Sequence, residues 1–434
     1  MLKKVFLLHF FILLCFLSAN AQAPVAAQKT VTPDASDIRQ QSFEKVWNTI
    51  NEKHFDPTFG GVDWQKTREN YEPLALATKS DAELHAILNK MLRELKLSHF
   101  AVFMPPAETK TAKSSAGVIG IELKMLDNLA VISQVQIGST AAQSGLETGF
   151  AVRKIGGKTI AGLLTPLEKS FSNRTLPEAQ KKLYRERILL AYINGDAGTQ
   201  AKIEVLNGKN QPQVFNIARV EHKSEMSLAV GNFPAQEVIF ETKRLPNNIG
   251  YIRFNMWVMP QMSKIREAVR SMKDVDGIIF DVRGNPGGIG GIATGVAGLL
   301  VKEQSSLGTM KSRANETKFI VYPQSGAYDG KVVVLTDYGS ASTSEIFAAG
   351  LQEIGRATIV GETTAGAVLP SVFDRLPTGA TFQYVIADYK SPKSILIENR
   401  GVIPDIESKQ TRQALLEGRD LQLEKAIEQI TKKN

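Results

Sequence analysis

The chain has 434 residues, of which 43% are apolar and 22% are charged, and it carries a formal net charge of +8. This length suits roughly two to four domains, and the composition is that of an ordinary globular protein. The basic residues are scattered, without long runs or interleaved aromatic residues, so the sequence gives no indication of nucleic-acid binding.

The first 21 residues have the three parts of a secretory signal peptide. A pair of lysines precedes an apolar stretch over residues 5–17, and Ala19-Asn20-Ala21 provides a small-x-small cleavage site. We therefore expect an exported protein, periplasmic or secreted, with no integral membrane segment after signal removal; an uncleaved membrane anchor is the alternative. The only cysteine, Cys15, lies in this stretch, so the mature chain would have neither disulfides nor thiol chemistry.

Residues 22–36 are rich in Ala, Gln, Thr and Pro and predict a flexible leader. A helical domain is predicted over residues 37–100. Apolar residues recur there at helical spacing in two segments: Phe43, Val46, Trp47 and Ile50, then Leu84, Ile87, Leu88, Met91, Leu92 and Leu95. Ser80 and Glu83 form a capping-box pattern at the start of the second helix. This helix is predicted to end near Lys96, which places His99 just beyond it.

Residues 115–210 contain short strand-like runs separated by glycines, such as GVIGIEL and LAVISQV. This stretch resembles a PDZ domain of the form found within secreted proteases, through elements in the expected order: Ser139-Thr140-Ala141-Ala142, Gly145-Leu146, Gly149 and Ile155-Gly156-Gly157. Phe150 departs from the pattern, in which Asp usually follows the glycine.

PDZ domains bind the ends of extended chains by strand addition and hold the terminal carboxylate with backbone N–H groups. The resemblance implies that this carboxylate loop is formed by Gly120, Ile121, Glu122 and Leu123. A β-rich insertion without a ligand is the alternative.

Strands and helices alternate from about residue 240 onward, within the segment 211–434. The strand-like runs NIGYIRFNMW, DGIIFDV, KVVVLTD and ATIVGETT are separated by helix-like runs, and a polar-faced helix ends the chain. This alternation predicts an α/β core with βαβ units. Functional residues in such cores lie beyond the carboxyl ends of strands. Two stretches occupy such places, the Gly-rich turn at 284–288 and the serines at 340–344.

Ser342 lies between a predicted strand and a predicted helix, with Glu345 three residues later. One interpretation is a capping box, in which the serine hydroxyl bonds a backbone N–H while Glu345 reaches back. The other is a nucleophile, because a helix N-terminus offers free N–H groups and a positive dipole end to a developing oxyanion. The residues alone leave both interpretations open.

The run DVRGNPGG, followed some 50 residues later by GSASTSEIFAAGLQEIGRATIVGETTAG, resembles the core of the carboxyl-terminal processing (tail-specific) protease family. The resemblance extends from about residue 40 to the end of the chain. It implies an α/β fold: a ClpP/crotonase-like α/β core, an N-terminal helical segment and an inserted β-rich PDZ domain. In the family pattern the middle serine of Ser-Ala-Ser-x-Ser-Glu is the nucleophile, here Ser342, and Ser340 and Ser344 are structural.

The general base departs from the best-known family members, which use a lysine 25 residues after the serine. Here that position is Ala367, which cannot accept a proton, so the protein is either an inactive relative or has its base elsewhere. A second branch, typified by the tricorn protease, lacks this lysine and resembles this chain at a Ser-His pair and at a glutamate before Gly-x-x-Pro-Asp. That resemblance implies His99 as the general base, with Ser98 and Glu398 orienting and polarising it. A histidine titrates near pH ~6.5 and can accept the serine proton at neutral pH.

The resemblance further implies an oxyanion hole formed by the N–H of Thr343 and that of Gly287 or Gly288. Other polar residues of the glycine-rich turn are expected to hold it in shape: Asp281, Arg283 and Asn285. No cofactor or metal ion is expected, since the sequence shows no HExxH pattern and no close cluster of ligand residues.

We therefore expect an exported serine endopeptidase that acts on protein or peptide substrates and engages chain ends through its PDZ-like region. A catalytically inactive family member that binds an apolar ligand or peptide tails is the alternative. The family fold also appears in the interphotoreceptor retinoid-binding protein, which carries apolar ligands. The joint presence of Ser342, His99 and Glu398 favours the enzyme, because a binding protein has no need of all three.

Overall fold

The computed structural model describes residues 34–104, 116–172 and 176–432. The predicted signal peptide, with Cys15, and nearly all of the predicted leader lie outside the described residues. Within the described ranges, no helix combines the length and the apolar character needed to cross a membrane.

The N-terminal part consists of helices that end in a short strand. Its elements are α1 (Ala35–Lys53), a 3-10 turn (Phe59–Gly61), α2 (Trp64–Leu76), α3 (Asp81–Leu92), a 3-10 turn (Arg93–Leu95) and β1 (Ala101–Phe103). The hydroxyl of Ser80 accepts the N–H of Glu83 at 3.2 Å and begins α3 where the sequence predicts. Lys96, with φ of 55°, closes the turn that follows α3, so His99 lies beyond the helical part.

The helical part is anchored to the far end of the chain. The predicted apolar faces of α1 and α3 are buried in a cluster that also contains Leu376, Ala380, Phe382 and Tyr384. In addition, β1 pairs antiparallel with residues 381–383. Residues just after α3 are thereby fixed against the C-terminal half.

The central part is rich in β-structure. Its elements are β2 (Ala116–Val118), β3 (Ile121–Leu126), β4 (Leu129–Val135), α4 (Thr140–Gln143), β5 (Ala151–Ile155), β6 (Lys158–Thr159), α5 (Ile160–Phe171), α6 (Glu178–Ile193), β7 (Gly195–Asp196), β8 (Gln200–Leu206), β9 (Pro212–Ala218) and β10 (Val220–Glu221). One antiparallel sheet has the order β3-β4-β5-β8-β9, with β6 paired to β5, and a smaller sheet has the order β10-β2-β7. The strand β3 is at the edge of its sheet and α6 packs beside it.

The C-terminal part contains the alternating strands and helices. Its elements are β11 (Phe240–Leu245), β12 (Ile249–Phe254), α7 (Met259–Ser271), β13 (Gly277–Asp281), α8 (Gly290–Ala297), β14 (Ser305–Lys311), β15 (Glu316–Val321), β16 (Lys331–Thr336), α9 (Thr343–Glu353), β17 (Thr358–Gly361), β18 (Ser371–Arg375), β19 (Thr381–Val385), β20 (Asp388–Lys390), β21 (Ile406–Glu407), α10 (Arg412–Leu416) and α11 (Leu421–Thr431). The main sheet has the order β11-β12-β13-β16-β17-β21 and is parallel except for β11.

The main sheet has helices on both faces. Val332 and Val334 of β16 pack in a cluster with α7, α8 and α9, whereas Val333 and Leu335 pack on the side of α11. Successive side chains of a strand point to opposite faces, so a strand buried on both sides is continuously apolar, as KVVVL is. The predicted α/β class is confirmed.

The order of the main sheet brings the two predicted functional turns together. The strands β13 and β16 are parallel neighbours, with Asp281 opposite Leu335. Each runs into a turn at the same edge: residues 282–288, which we call the glycine turn, and residues 337–342, which we call the serine turn. The strands β15 and β14 of a small sheet pack on α8 and α9, the helices that follow these turns.

Candidate active site

Ser342 occupies the junction between the serine turn and α9 in a strained conformation. Its φ of 55° and ψ of −118° are unfavourable for a residue with a side chain. The surroundings hold this conformation, because the N–H of Ser342 donates to Ala367 O at 2.8 Å and to Glu345 Oε2 at 3.0 Å. The side chain of Ser342 lines a cavity of about 640 Å³.

The two flanking serines have structural hydrogen bonds. Ser340 Oγ donates to Val282 O at 2.8 Å, and Ser344 Oγ donates to Asn285 O at 3.0 Å while it accepts from Trp257 Nε1 at 2.9 Å. Both serines are fully buried. Each ties the serine-containing segment to the glycine turn, so that the two turns form one unit.

The carboxylate of Glu345 joins Ser342 to the loop that contains Ala367. It accepts hydrogen bonds from Thr364 Oγ1 at 2.5 Å, Gly366 N at 2.8 Å and Ala367 N at 2.9 Å, in addition to Ser342 N. Burial raises the pKa of Glu345 to about 7, and these four donors oppose the rise. The hydrogen bond from Ser342 N to the Glu345 carboxylate is one of the two bonds of the predicted capping box.

His99 is linked to Glu398 through the hydroxyl of Ser98. Ser98 Oγ donates to Glu398 Oε2 at 3.0 Å and lies 2.6 Å from His99 Nδ1, and Ser98 N donates to Glu398 Oε1 at 2.8 Å. A hydroxyl has one proton to donate, so the Ser98 oxygen accepts from Nδ1–H of His99. This tautomer leaves the lone pair on Nε2. His99 also has a positive φ of 60°.

Burial shifts the pKa values of His99 and Glu398, the two ends of this series of hydrogen bonds. Burial lowers the pKa of His99 to about 4, so the imidazole is neutral at neutral pH. Burial raises the pKa of Glu398, while donors from Ser98 and from Val368 N, the latter at 3.0 Å, favour its ionised form. His99 and Ser342 line the same cavity, although they are far apart in the sequence.

The glycine turn is close-packed against Ser342. A Cβ atom on Gly287 would lie 2.6 Å from Ser342 Cβ and 2.9 Å from Thr343 N. The N–H of Gly287 donates to Asn285 Oδ1 at 3.0 Å, whereas the N–H of Gly288 has no acceptor within the described residues. Thr343 Oγ1 donates to Gly288 O at 2.8 Å, which brings these two residues together. Thr343 is the first residue of α9, so its N–H has no partner inside the helix.

Charged and polar side chains hold the glycine turn in its conformation. Arg283 pairs with Asp281 at 2.6 Å and with Asp420 at 2.8 Å, and Asn285 Nδ2 donates to Phe254 O at 3.0 Å. The neighbouring Arg283 guanidinium holds the pKa of Asp281 at about 2, against the effect of its burial. Asp281, Arg283 and Asn285 thus support the loop, as expected.

The predicted carboxylate loop lies at the start of β3 and contacts the C-terminal part. Gly120 has a φ of 84° and precedes the strand, and the carboxylate of Glu122 pairs with Arg253 at 2.9 Å. Ile121 and Leu123 pair with β4 on the inner side of β3. The loop therefore lies at the start of an edge strand.

The outer edge of β3 is occupied by residues that the sequence did not single out. Met125 N donates to Glu186 Oε1 of α6 at 2.6 Å and to the hydroxyl of Tyr338 at 3.1 Å, and that hydroxyl also donates to Glu186. Next to them, Lys124 Nζ pairs with Asp337 Oδ2 at 2.5 Å. Tyr338 and Asp337 belong to the serine turn, so this turn reaches between β3 and α6.

Asp337 also links the two turns. Its Oδ1 accepts the N–H of Gly284 and that of Gly339, both at 2.8 Å. The nearby Lys124 ammonium lowers the pKa of Asp337 against the effect of burial. Lys124 and Asp337 are 213 positions apart, and no local pattern in the sequence indicates their contact.

Comparisons with known proteins agree with this architecture. Residues 248–408 match peptidase family S41, and residues 36–93 match the tricorn protease C1 domain. The chain is 26% identical to a carboxyl-terminal-processing protease of Synechocystis sp., over 84% of this chain and 80% of that protein. It is 24% identical to the carboxy-terminal processing protease CtpA of Bacillus subtilis, over 80% and 70%.

Solved structures share the fold at low sequence identity. The photosystem II D1 C-terminal processing protease superposes with a TM-score of 0.55 at 21% identity, covering 86% of this chain and 93% of that one. Mature CPAF complexed with lactacystin gives 0.62 at 11% identity, covering 91% and 98%. The tricorn protease gives 0.54 at 19% identity, covering 92% of this chain and 37% of that one.

An α/β core with a serine at a strand-to-helix turn, matched by peptidase family S41, defines a serine-type peptidase. Within that class, the two matched domains and the names of the similar proteins support membership of the carboxyl-terminal processing protease family.

Proposed function

We propose that the protein is an exported endopeptidase that hydrolyses peptide bonds of protein substrates through an acyl-enzyme on Ser342. The observation that carries this proposal is the chain Glu398–Ser98–His99, which reaches the cavity that Ser342 lines. The signal-peptide pattern supports export. The proposed base is His99, since Ala367 has no group that can accept a proton.

The first half of the reaction uses Nε2 of His99 as the general base. It takes the proton of Ser342 as Oγ attacks the substrate carbonyl carbon. The oxyanion that forms would accept hydrogen bonds from the N–H groups of Gly288 and Thr343. We assign Gly288 rather than Gly287 because the Gly287 N–H is already bonded to Asn285.

The second half returns the proton. The imidazolium of His99 protonates the leaving amine, and the C–N bond breaks to give the acyl-enzyme and the first product. The same nitrogen then activates a water molecule, which releases the second product and restores Ser342. Glu398 stabilises the imidazolium in both halves through the Ser98 hydroxyl.

We further propose that the β-rich part engages substrate chain ends at Gly120, Ile121, Glu122 and Leu123. The position of this loop at the edge strand β3 supports the proposal. A chain end that extends along β3 would compete with Glu186 and Tyr338 for Met125 N–H. Engagement therefore includes the displacement of Tyr338 from this edge.

Covalent labelling tests the catalytic part of the proposal. The purified mature protein is treated with a fluorophosphonate, and the modified peptide is identified by mass spectrometry. We expect the label on Ser342, and a strong loss of labelling in His99→Ala. His222→Ala is the matched control, because His222 pairs with Glu237 at a partly exposed position and does not line the cavity.

The inactive alternative gives a different result. The cavity that contains Ser342 is lined mainly by apolar side chains, which would also suit an apolar ligand. A folded protein that takes no label, cleaves no peptide and copurifies with an apolar molecule in native mass spectrometry would replace the peptidase proposal with that of a binding protein.

A further inference from the structure

The cavity beside Ser342 has the chemistry of a selective side-chain pocket. From its lining we propose that the protein cleaves after large uncharged apolar residues, and that Met310 and Phe319 determine this preference. The inference rests on the proposed function, because it concerns the residue whose carbonyl Ser342 attacks, which we call P1.

The first argument is the absence of charge. None of the described residues that line the cavity is an acid, a lysine or an arginine. Apart from His99, Ser342 and Thr343, its side-chain hydrogen-bonding groups are those of Asn232, Ser371 and Gln383. A charged P1 side chain would lose its hydration there without gaining a partner of opposite charge, which is strongly unfavourable.

The second argument is position. The proposed oxyanion donors, Gly288 N–H and Thr343 N–H, fix the carbonyl oxygen of P1, so the P1 side chain lies near the residues that adjoin these donors. Ile289 follows Gly288 directly, and Ile346 lies one helical turn after Thr343 on the same face of α9. Both line the cavity. The part of the cavity next to the reacting carbon is therefore apolar.

The third argument is the small sheet that closes this part of the cavity. Met310 of β14 and Phe319 of β15 both line the cavity, and their strands pack on α9 and α8. Both side chains are half-buried, so each presents part of its surface to the open space. We call the space bounded by Ile289, Ile346, Met310 and Phe319 the apolar pocket.

Two glycines at the start of α8 keep the apolar pocket open. A Cβ atom on Gly290 would meet the ring of Phe319 at 3.2 Å, whereas one on Gly291 would meet nothing within 4 Å. Gly291 is exposed and lines the cavity. A Cβ atom at position 291 therefore has free space around it, and a larger residue there would narrow the cavity that Gly291 lines.

The test uses peptides that differ only at P1. We expect kcat/KM for Leu or Phe to exceed that for Ala by roughly 10- to 100-fold, since burial of extra apolar surface favours the larger side chain. Lys and Asp should be cleaved more slowly than Ala. The rate of fluorophosphonate labelling is measured beside each value, because it reports the reactivity of Ser342 without a P1 side chain.

Met310→Glu tests the assignment directly, with Met310→Gln as the neutral control of similar size. A carboxylate in the apolar pocket would pair with a basic P1 side chain, so we expect the ratio of Lys to Leu cleavage to rise at least ~10-fold in Met310→Glu and to change little in Met310→Gln. Gly291→Leu is a second variant, at a position that lines the cavity but is not one of the four residues of the apolar pocket. It should reduce cleavage after Phe much more than cleavage after Ala.

The outcomes separate the two proposals. A protein that takes no label on Ser342 and cleaves no peptide would overturn the proposed function. A protein that takes the label and cleaves peptides, but does not distinguish Leu from Lys, or whose selectivity is the same in Met310→Glu and Met310→Gln, would overturn only the apolar pocket.

Discussion

Glu398→Gln should slow the proposed reaction strongly without an effect on the fold. The carboxylate of Glu398 accepts two hydrogen bonds from Ser98 and one from Val368, and a backbone hydrogen bond from Leu369 also favours its ionised form. An amide keeps the shape but turns one oxygen into a donor, which then faces another donor. The amide is also uncharged, so the imidazolium that forms on His99 loses the negative charge that faces it through the Ser98 hydroxyl.

The size of the effect follows from the distances. The bonds of 2.6 Å and 3.0 Å place the carboxylate at most about 5.6 Å from Nδ1 of His99. At an effective dielectric constant of about 20, two unit charges at that distance attract by about 3 kcal/mol. The imidazolium exists only after proton transfer, so losing this attraction raises the barrier and slows the reaction by roughly 100-fold.

The assay compares kcat/KM and the labelling rate of Glu398→Gln with those of the wild type. Glu407→Gln is the matched control, because Glu407 is exposed and pairs only with Lys409 among the described ion pairs. Unchanged thermal stability shows that the variant is folded. A Glu398→Gln protein with activity within threefold of the wild type would refute the role of Glu398 in supporting His99.

Three further results are expected. The labelling rate should be constant at neutral pH and fall on acidification with a midpoint near pH 4, because only neutral imidazole accepts a proton and burial lowers the pKa of His99 to about 4. Gly287→Ala should reduce labelling by more than ~100-fold, since its methyl group would lie 2.6 Å from Ser342 Cβ in a backbone conformation that favours glycine. Tyr338→Phe should tighten the binding of a labelled C-terminal peptide by about 3- to 10-fold, measured by fluorescence anisotropy, because one competitor for Met125 N–H is removed.

Each of these three predictions has a control variant or an outcome that would contradict it. A labelling midpoint at or above the ordinary histidine pKa of ~6.5 would contradict the buried, neutral His99. Gly355→Ala, also at positive φ but with no atom within 4 Å of the new methyl group, separates backbone strain from crowding of Ser342. Tyr322→Phe, at an exposed position, should leave peptide affinity unchanged; equal effects in both tyrosine variants would contradict competition at β3.

The main sheet was predictable because its signals are local. The runs around Val333 and Ile279 are continuously apolar, which is what burial on both faces of a parallel sheet requires. The start of α3 could likewise be predicted from the capping pattern at Ser80, and its apolar face from a helical period, whereas α3 ends at Leu92, before the predicted end near Lys96. In each case, the residues that determine the element are its own neighbours in the chain.

The arrangement of the candidate active site could not be predicted from local sequence signals. His99 and Glu398 lie 299 positions apart, and only the resemblance to a known family connects them before the fold is seen. The choice between Gly287 and Gly288 depends on one hydrogen bond, from Gly287 N to Asn285 Oδ1. Glu186 and Tyr338 belong to no sequence motif. They connect the β-rich part with the serine turn, and hydrophobic periodicity within either segment gives no information about a contact between the two.

The contacts of Asp337 make the C-terminal part depend on the β-rich part. Asp337 is 3% exposed, and its carboxylate bonds both turns through Gly284 and Gly339 and pairs with Lys124 from the β-rich part. Excision of residues 115–210 would remove Lys124, the cation that pairs with the Asp337 carboxylate five positions before Ser342. The insertion is therefore not a detachable accessory: a shortened chain that keeps every residue of the proposed catalytic set would still lack part of what holds Ser342 in place.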